Sequence, residues 1–346
     1  MKVVIAGAGF AGIRTAKALE GKADVTLVAP TDRFVYLPLI HEMVSERQLP
    51  RDVTKPLCEV LPSTRHVHDR GVAVEGNDLV LASGDRLAFD RLVVAVGAQP
   101  NDFGIPGVRD HTYSFYSVKD ALLANAALKT AAVEHAGRPI RVVVAGASFT
   151  GVEVAGEAAE LLRRLDFRYD ITLLDAGARL FPHQSDAFRA GVEQGLERLG
   201  LKVRMGKRIT AVEPGRVHVG DDTIPADVVL WCAGIQPRRI EGVDTNVRPT
   251  LQSGDRDDVF VVGDAADFPR ELSVPKLAQT AEGQAPVVAH NLLHPERMRD
   301  YKPDIKGLIV SIGHHFAVAD IGDTNMTGTV PWHIKRQLYK TKIRLI

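Results

Sequence analysis

KVVIAGAGFAG, Lys2 to Gly12, opens the chain, and RVVVAGASFTG, Arg141 to Gly151, says it again. Val3 aligns with Val142, Val4 with Val143, Ala6 with Ala145, Gly7 with Gly146, Phe10 with Phe149 and Gly12 with Gly151. Each copy is a β-branched run, a glycine turn and a segment of helix formers, the opening of a dinucleotide-binding βαβ unit. Glycine lets the turn bend and lets backbone N–H groups approach a pyrophosphate at the positive end of the helix. One match is weak, because glycine turns follow many buried strands. Two in register make chance a poor explanation.

Outward from the first turn, Ile13 to Leu19 reads as helix and Asp24 to Ala29 as the second strand. Arg33 to Leu57, with Pro38, Pro50 and Pro56, reads as short helices and loops. Val72–Val74 and Leu79–Leu81, joined through Gly76-Asn77-Asp78, form a hairpin pattern. FDRLVVAVGAQP from Phe89 is a buried strand ending at a turn, and ADVVLWCAGIQP from Ala226 echoes it. The duplication therefore covers whole modules, with Asp170 to Asp175, Val203 and Val217 to Val219 as the middle parts of the second. DDVFVVGD, ending at Asp264, completes the first module, so the second is inserted within it. Helix is expected from Leu277 to Leu293 and sheet from Leu308 to Ala319. The fold class is α/β, with two Rossmann-like domains and a C-terminal α+β region.

With 346 residues and 45% apolar content the chain can build two or three cores. Net charge is zero and the pI is about 7.2, so no global field favours nucleic acid. Cys58 and Cys232 form no CxxC motif, which argues against a disulfide framework or a dithiol relay. The glycines at 7, 9 and 12 break the N-terminal apolar run, so it reads as a strand rather than a signal peptide. No apolar stretch approaches the roughly 20 residues of a spanning helix.

An acid at the end of the second strand commonly binds the adenosine ribose. The second module has Asp175 there; the first has Ala29, with Thr31, Asp32 or backbone left to substitute. Ser148 replaces the middle glycine of the second turn, where its hydroxyl can reach the pyrophosphate. Phe10 and Phe149 are explained by packing of helix on sheet.

The glycine turns together with FDRLVVAVGAQPNDFGIPGV, WCAGIQP and VFVVGDAADF resemble the flavoproteins with two dinucleotide-binding domains. SFTGVEVAGE, ITLLDAGARLFP, DRFVYLPLIHEM and PKLAQTAEGQA are similar to type II NADH dehydrogenases, and the similarity runs to about Gly328. The resemblance implies FAD on the first module, through Gly7, Gly9, Phe10, Ala11, Gly12, Arg33, Pro38, Val72, Ala95, Gly97, Gly263, Asp264 and Gln279. NADH falls to the second, through Gly146, Phe149, Thr150, Gly151, Glu153, Asp175, Ala233 and Gly234. It implies an FAD domain of residues 1–110 and 239–295, an NADH domain of 111–238 and a C-terminal region of 296–346. Asp264 would bind the ribityl chain, and the 276–285 region would lie near the isoalloxazine and quinone. The family's AQxAxQ pattern has Gly283 in place of its second glutamine.

Glu153 has two readings: a capping box with Thr150, and, from the resemblance, a catalytic carboxylate where nicotinamide meets flavin. Cys232 reads as a core thiol and Cys58 as inert. The absence of a cysteine pair argues against sulfide:quinone chemistry. His290 and His294 have helical metal-ligand spacing but no third ligand, so no metal is expected. His314 and His315 read as surface or core residues.

The implied activity is hydride transfer from NADH to FAD and electron transfer to a quinone-like acceptor. The alternatives are an NADH-dependent reductase of an iron–sulfur or rubredoxin-type carrier, and a slow flavin redox sensor or interaction protein. After Asp323 no acid follows, while Lys335, Arg336, Lys340, Lys342 and Arg344 crowd the end. On a helix, Trp332, Tyr339, Ile343 and Ile346 form one apolar stripe, and Ile334, Leu338 and Leu345 a second beside it. Lys335 and Lys342 fall between them, where their stems can snorkel. The tail is thus expected either to attach a cytoplasmic enzyme to an anionic membrane surface or to pack in a homodimer.

Overall fold

The computed structural model describes residues 1–269, 272, 274–322 and 324–345, with the side chains of Arg344 and Leu345 outside the description. The chain packs as two compact units. One comprises Met1–Val35, Thr54–Gln99 and Gln236–Ile305; the other comprises Tyr36–Val53, Pro100–Ile235 and Lys306 to the end.

The first unit is built on a five-stranded sheet in the order Val259–Val261, Arg91–Val94, Lys2–Ala6, Asp24–Ala29, Arg65–His68, all parallel. Val3 lies beside both Val25 and Arg91. The strand before Asp264 therefore joins the first sheet although well over a hundred residues separate it from Arg91–Val94, which establishes the insertion. Parallel strands covered on both faces need continuous apolar runs. Val3, Ile5, Leu92, Val93 and Phe260 are accordingly at 0% exposure. Each such side chain contributes on the order of 1.5–3 kcal/mol. Helix Phe10–Leu19 packs against helix Ala278–Leu293.

The second unit repeats the plan, with Tyr113–Ser114, Val228–Trp231, Ile140–Ala145, Tyr169–Leu174 and Lys202–Arg204 side by side and parallel. Helix Phe149–Arg164 follows its central strand. Each module also carries a three-stranded antiparallel sheet: Gly71–Glu75, Asp78–Leu81 and Arg86–Ala88 in the first, Ile209–Glu213, Arg216–Val219 and Asp222–Pro225 in the second. The expected hairpin is thus two of three strands. The Leu308–Ala319 stretch likewise becomes Leu308–Ser311 and Ala317–Ile321, joined by a third strand, Thr324–Gly328. The terminal helix Thr329–Leu345 ends this unit.

Candidate functional site

The first glycine turn is held by its neighbours in the sheet. Gly7 donates its N–H to Val28 O at 2.8 Å and has φ +115°, a region a side chain avoids. A Cβ on Gly7 would lie 2.2 Å from Ala95 O, and one on Gly12 would lie 1.9 Å from Gly7 O. Gly9 differs: nothing lies within 4 Å of where its Cβ would be, and no side chain caps the helix that begins at Phe10. Gly7 and Gly12 are thus glycine for packing, whereas packing makes no such demand at Gly9. A pyrophosphate fits that open side of a helix N-terminus. Phe10 stacks edge-on against Phe34 at 5.2 Å, and Ala11 is buried, so both face the interior.

Other residues expected beside this cofactor gather in the same unit. Ala95 is buried and donates its N–H to Ala6 O at 2.7 Å; Gly97 turns with φ +70°. Gly263, φ +67°, opens a short turn over Gly263–Ala265 and donates its N–H to the buried Gln284 Oε1 at 2.6 Å. Asp264 is half-buried, and its carbonyl accepts from Lys276 Nζ at 2.6 Å. Gln279 lies in the first turn of helix Ala278–Leu293. Arg33 donates from Nε to Thr54 Oγ1 at 2.9 Å, and Val72 is exposed on its strand. Pro38 lies in the second unit, within the short helix Leu37–Met43.

The second turn copies the first. Gly146 has φ +93°, and a Cβ there would lie 2.5 Å from Cys232 O; one on Gly151 would lie 1.8 Å from Gly146 O. Ala233 backbone closes on the same turn, at 2.6 Å from that Gly146 position, and Gly234 follows with φ +147°. Thr150 and Ser148 are exposed, and Phe149 packs against Phe181 at 4.8 Å. Asp175 follows its strand directly, and its carboxylate already works within the protein. Oδ2 accepts from Ala147 N at 2.8 Å and Oδ1 from Gly177 N at 2.7 Å. A carboxylate has further lone pairs, so ribose hydroxyls remain within its capacity. Arg179 is exposed and donates to Pro182 O.

Glu153 does not form the capping box with Thr150. The helix N-cap is Ser148, without a side-chain bond, and the Glu153 carboxylate turns to other elements. Its Oε1 accepts from Ser311 N at 3.2 Å, from Ser311 Oγ at 3.3 Å and from Lys335 Nζ. Its Oε2 lies 3.5 Å from His41 Nδ1. His41 is fully buried, and burial, then Lys335 and Arg47, hold its pKa well below the ordinary value, so it stays neutral. One turn on, Glu157 is at 0% exposure; it accepts from Ser45 Oγ and is ion-paired with Arg47, which Glu42 shares at 3.1 Å. Burial pushes the Glu157 carboxyl up to about 7, against the pull of Arg47 and Ser45.

Sequence reasoning missed this cluster and misplaced Lys335. That lysine is not a snorkelling residue: it is 2% exposed and held by Glu153 and by Ser311 Oγ at 2.9 Å. Trp332 and Tyr339 of the first stripe face inward as well, with Trp332 3% exposed and Tyr339 edge-on to Tyr36 at 5.6 Å, while Ile343 is half-buried. Leu338 of the second stripe is exposed, whereas Ile346 and the side chains of Arg344 and Leu345 lie outside the described residues. The available signal was a lone lysine three residues after Trp332 and four before Tyr339, on an apolar face. A second was three glutamates, 153, 157 and 160, on one side of an otherwise apolar helix.

Cys232 is buried, with its thiol pushed up to about 12 by burial, and Cys58 is exposed; both are free. His290 binds Arg297 O at 2.9 Å through Nε2, and His294 Nδ1 lies 3.9 Å from Glu296. Among the described residues no group of three or more His, Cys, Asp or Glu is placed to hold a metal ion. His315 stacks on Trp332 at 4.5 Å, and His314 is half-buried beside Glu157. No described helix is long and apolar enough to cross a membrane.

A family model described as pyridine nucleotide-disulphide oxidoreductase matches residues 1–285. The chain is 28% identical to a demethylphylloquinone reductase of Synechocystis, covering 82% of this chain and 76% of that one. It is 28% identical to the type II NADH:quinone oxidoreductase of Haemophilus influenzae, covering 95% and 88%. In fold it is similar to the structure of NDH2 from Plasmodium falciparum in complex with NADH, with TM-score 0.88, 16% identity and coverage of 98% and 94%.

Proposed function

The chain belongs to the pyridine nucleotide-disulphide oxidoreductase family, and on that premise we propose that it is an FAD-dependent NADH dehydrogenase delivering electrons to a quinone-like acceptor. The observation that carries this reading is the doubled turn: Gly7 and Gly146 each close on the backbone of a neighbouring strand end, making two dinucleotide cradles in one chain. One cradle for a flavin and one for a nicotinamide nucleotide is the minimum for hydride transfer between them. Relatives covering most of the chain are named quinone reductases, which favours a quinone over a protein carrier.

FAD, when bound, supplies the two-electron chemistry, and the protein aligns, tunes and excludes water. We assign the first cradle to FAD through Gly7, Gly9, Gly12, Arg33, Ala95, Gly97, Gly263, Asp264 and Gln279, with Val72 at its margin. Phe10 and Ala11 contribute through the helix backbone, because their side chains are buried. NADH is assigned to Gly146, Phe149, Thr150, Gly151, Asp175, Ala233 and Gly234, with Glu153 as the catalytic carboxylate. The FAD domain is taken as 1–110 and 239–295, the NADH domain as 111–238, and the remainder as the C-terminal region.

The exposed side of the terminal helix, which carries Val330, Leu338 and Lys340, is assigned to an anionic membrane surface on the cytoplasmic side. A second copy of the chain is the competing partner for that face. Leu338→Glu with Lys340→Glu should release the protein from anionic liposomes in sedimentation at low salt; retention unchanged by the pair contradicts membrane attachment. For the activity, NADH oxidation is measured with a short-chain quinone beside ferricyanide. Turnover with both is expected, and turnover with ferricyanide alone contradicts the quinone assignment.

A further inference from the structure

We propose that Glu157 is a proton-transfer residue, a buried carboxyl that takes up protons from solvent through His314 and passes them toward Glu153 one helical turn away. The inference rests on the proposed function. NADH plus quinone plus one proton gives NAD+ plus quinol, so hydride supplies two electrons and one proton, and the second proton comes from solvent.

The geometry makes a chain of ionisable groups with one wet end. Helix Phe149–Arg164 carries Glu153, Glu157 and Glu160 at spacings of four and three, so they share a face. From the segment before Val53, Ser45 Oγ donates to Glu157 and Arg47 pairs with it, while Glu42 takes the same guanidinium. From the turn after Ser311, His314 Nε2 lies 3.9 Å from Glu157 Oε2, and its backbone N–H donates to Glu160 Oε1 at 2.9 Å. The His314 side chain is 32% exposed, which gives the chain its contact with solvent. From the terminal helix comes Lys335, held by Glu153. Among the described residues, helix Val118–Glu134 adds the Asn125 amide on Val44 O and Lys129 paired with Glu46.

A plain structural ion pair would match one carboxylate to one guanidinium. Here two buried carboxylates, Glu42 and Glu157, share Arg47, so with both ionised the trio buries a net negative charge. One proton on Glu157 removes that cost. Burial raises its affinity for that proton, and the carboxyl is half-protonated near pH 7. When the O–H proton leaves toward Glu153, the resulting carboxylate is held by Arg47 and Ser45. The Nε2–H of a protonated His314 then replaces it, across a gap about 1 Å longer than a hydrogen bond. His314 Nε2 is buried with no protein hydrogen-bond partner in place, which leaves it available for this exchange.

Two measurements on the holoenzyme test the proposal. Infrared titration should show a protonated-carboxyl band that disappears between about pH 6 and pH 8, and that Glu157→Gln removes. In steady state, Glu157→Gln should lower the ratio of quinone-linked to ferricyanide-linked NADH oxidation by about tenfold and flatten its pH profile near neutrality. His314→Gln, which leaves Glu157 in place, should lower that ratio on the alkaline side while keeping the band. If Glu157→Gln does not fold, Ser45→Ala should move the band's midpoint upward. A band indifferent to these changes, or both rates falling together with an unchanged pH profile, overturns the proposal. Ferricyanide turnover without any quinone turnover in the unmodified enzyme instead defeats the proposed function, and the infrared titration alone then decides whether Glu157 holds the proton.

Discussion

Lys335 of the terminal helix is ion-paired with Glu153 of the second nucleotide helix, 182 residues away in sequence, and the two side chains are only 3% and 13% exposed. Removing one partner of a buried pair leaves an uncompensated charge, which costs about 3 kcal/mol. Lys335→Met should lower unfolding stability by that amount in a denaturant melt. Glu153→Gln with Lys335→Met should recover a substantial part, because the orphaned charge is gone. Strict additivity of the two single changes contradicts the pairing.

The glycines of the first turn separate stability from cofactor binding. Gly7→Ala forces a Cβ to within 2.2 Å of Ala95 O at φ +115°, and should cost about 2–4 kcal/mol. In Gly9→Val the added Cβ meets nothing within 4 Å. The flavin-free form should melt like the unmodified flavin-free protein, yet visible absorbance should show flavin lost on purification. Full flavin retention in Gly9→Val contradicts the assigned cradle.

NADH should be preferred over NADPH. A 2′-phosphate beside Asp175 places like charges in a partly desolvated site, worth about 1–3 kcal/mol or roughly ten- to hundredfold in kcat/KM. Because Asp175 also ties Ala147 N–H and Gly177 N–H, Asp175→Ala should both narrow that ratio and lower the melting temperature. Equal kcat/KM for the two nucleotides in the unmodified enzyme contradicts the assignment.

Asp227 sets a pH dependence of stability. Burial by itself raises its carboxyl, but hydrogen bonds from Arg138 and Arg141, including Arg141 N–H at 2.8 Å, overcome this and hold it well below the ordinary carboxylate range. A depressed folded pKa contributes stability above the unfolded value of about 4 that fades as pH falls below it. Asp227→Asn should lose about 2–3 kcal/mol at neutral pH, with the gap to the unmodified protein closing in acid. A gap of constant size from neutrality to about pH 3 contradicts this role.

The doubled module was legible because packing and ligand approach constrain sequence locally. Gly7 and Gly146 are required by a carbonyl within 3 Å, and Val3 and Val142 by sheets buried on both faces, so residue types at fixed spacing reported them. Even the insertion could be read, since the strand before Asp264 is as apolar as the central strands it joins. The Glu153 and Glu157 cluster was not legible. Its members, His41, Ser45, Arg47, Ser311, His314 and Lys335, come from segments far apart in the chain, and charged residues without local spacing read as solvated surface. Lys335 shows the same limit: periodicity set it between two apolar stripes as a snorkelling residue, but the partner that turns it inward lies on another helix. Asp175 does follow its strand directly, as the spacing predicts, while its bond to the glycine turn has no signature in the sequence.

Anaerobic titration of the purified protein with NADH, followed by a short-chain quinone, decides whether electrons pass from NADH through flavin to quinone. The protein should be yellow, should bleach with about one NADH per chain, and should regain its colour on addition of one equivalent of quinone. Protein that carries no flavin, or that bleaches with NADH and stays bleached with quinone present, would contradict that route.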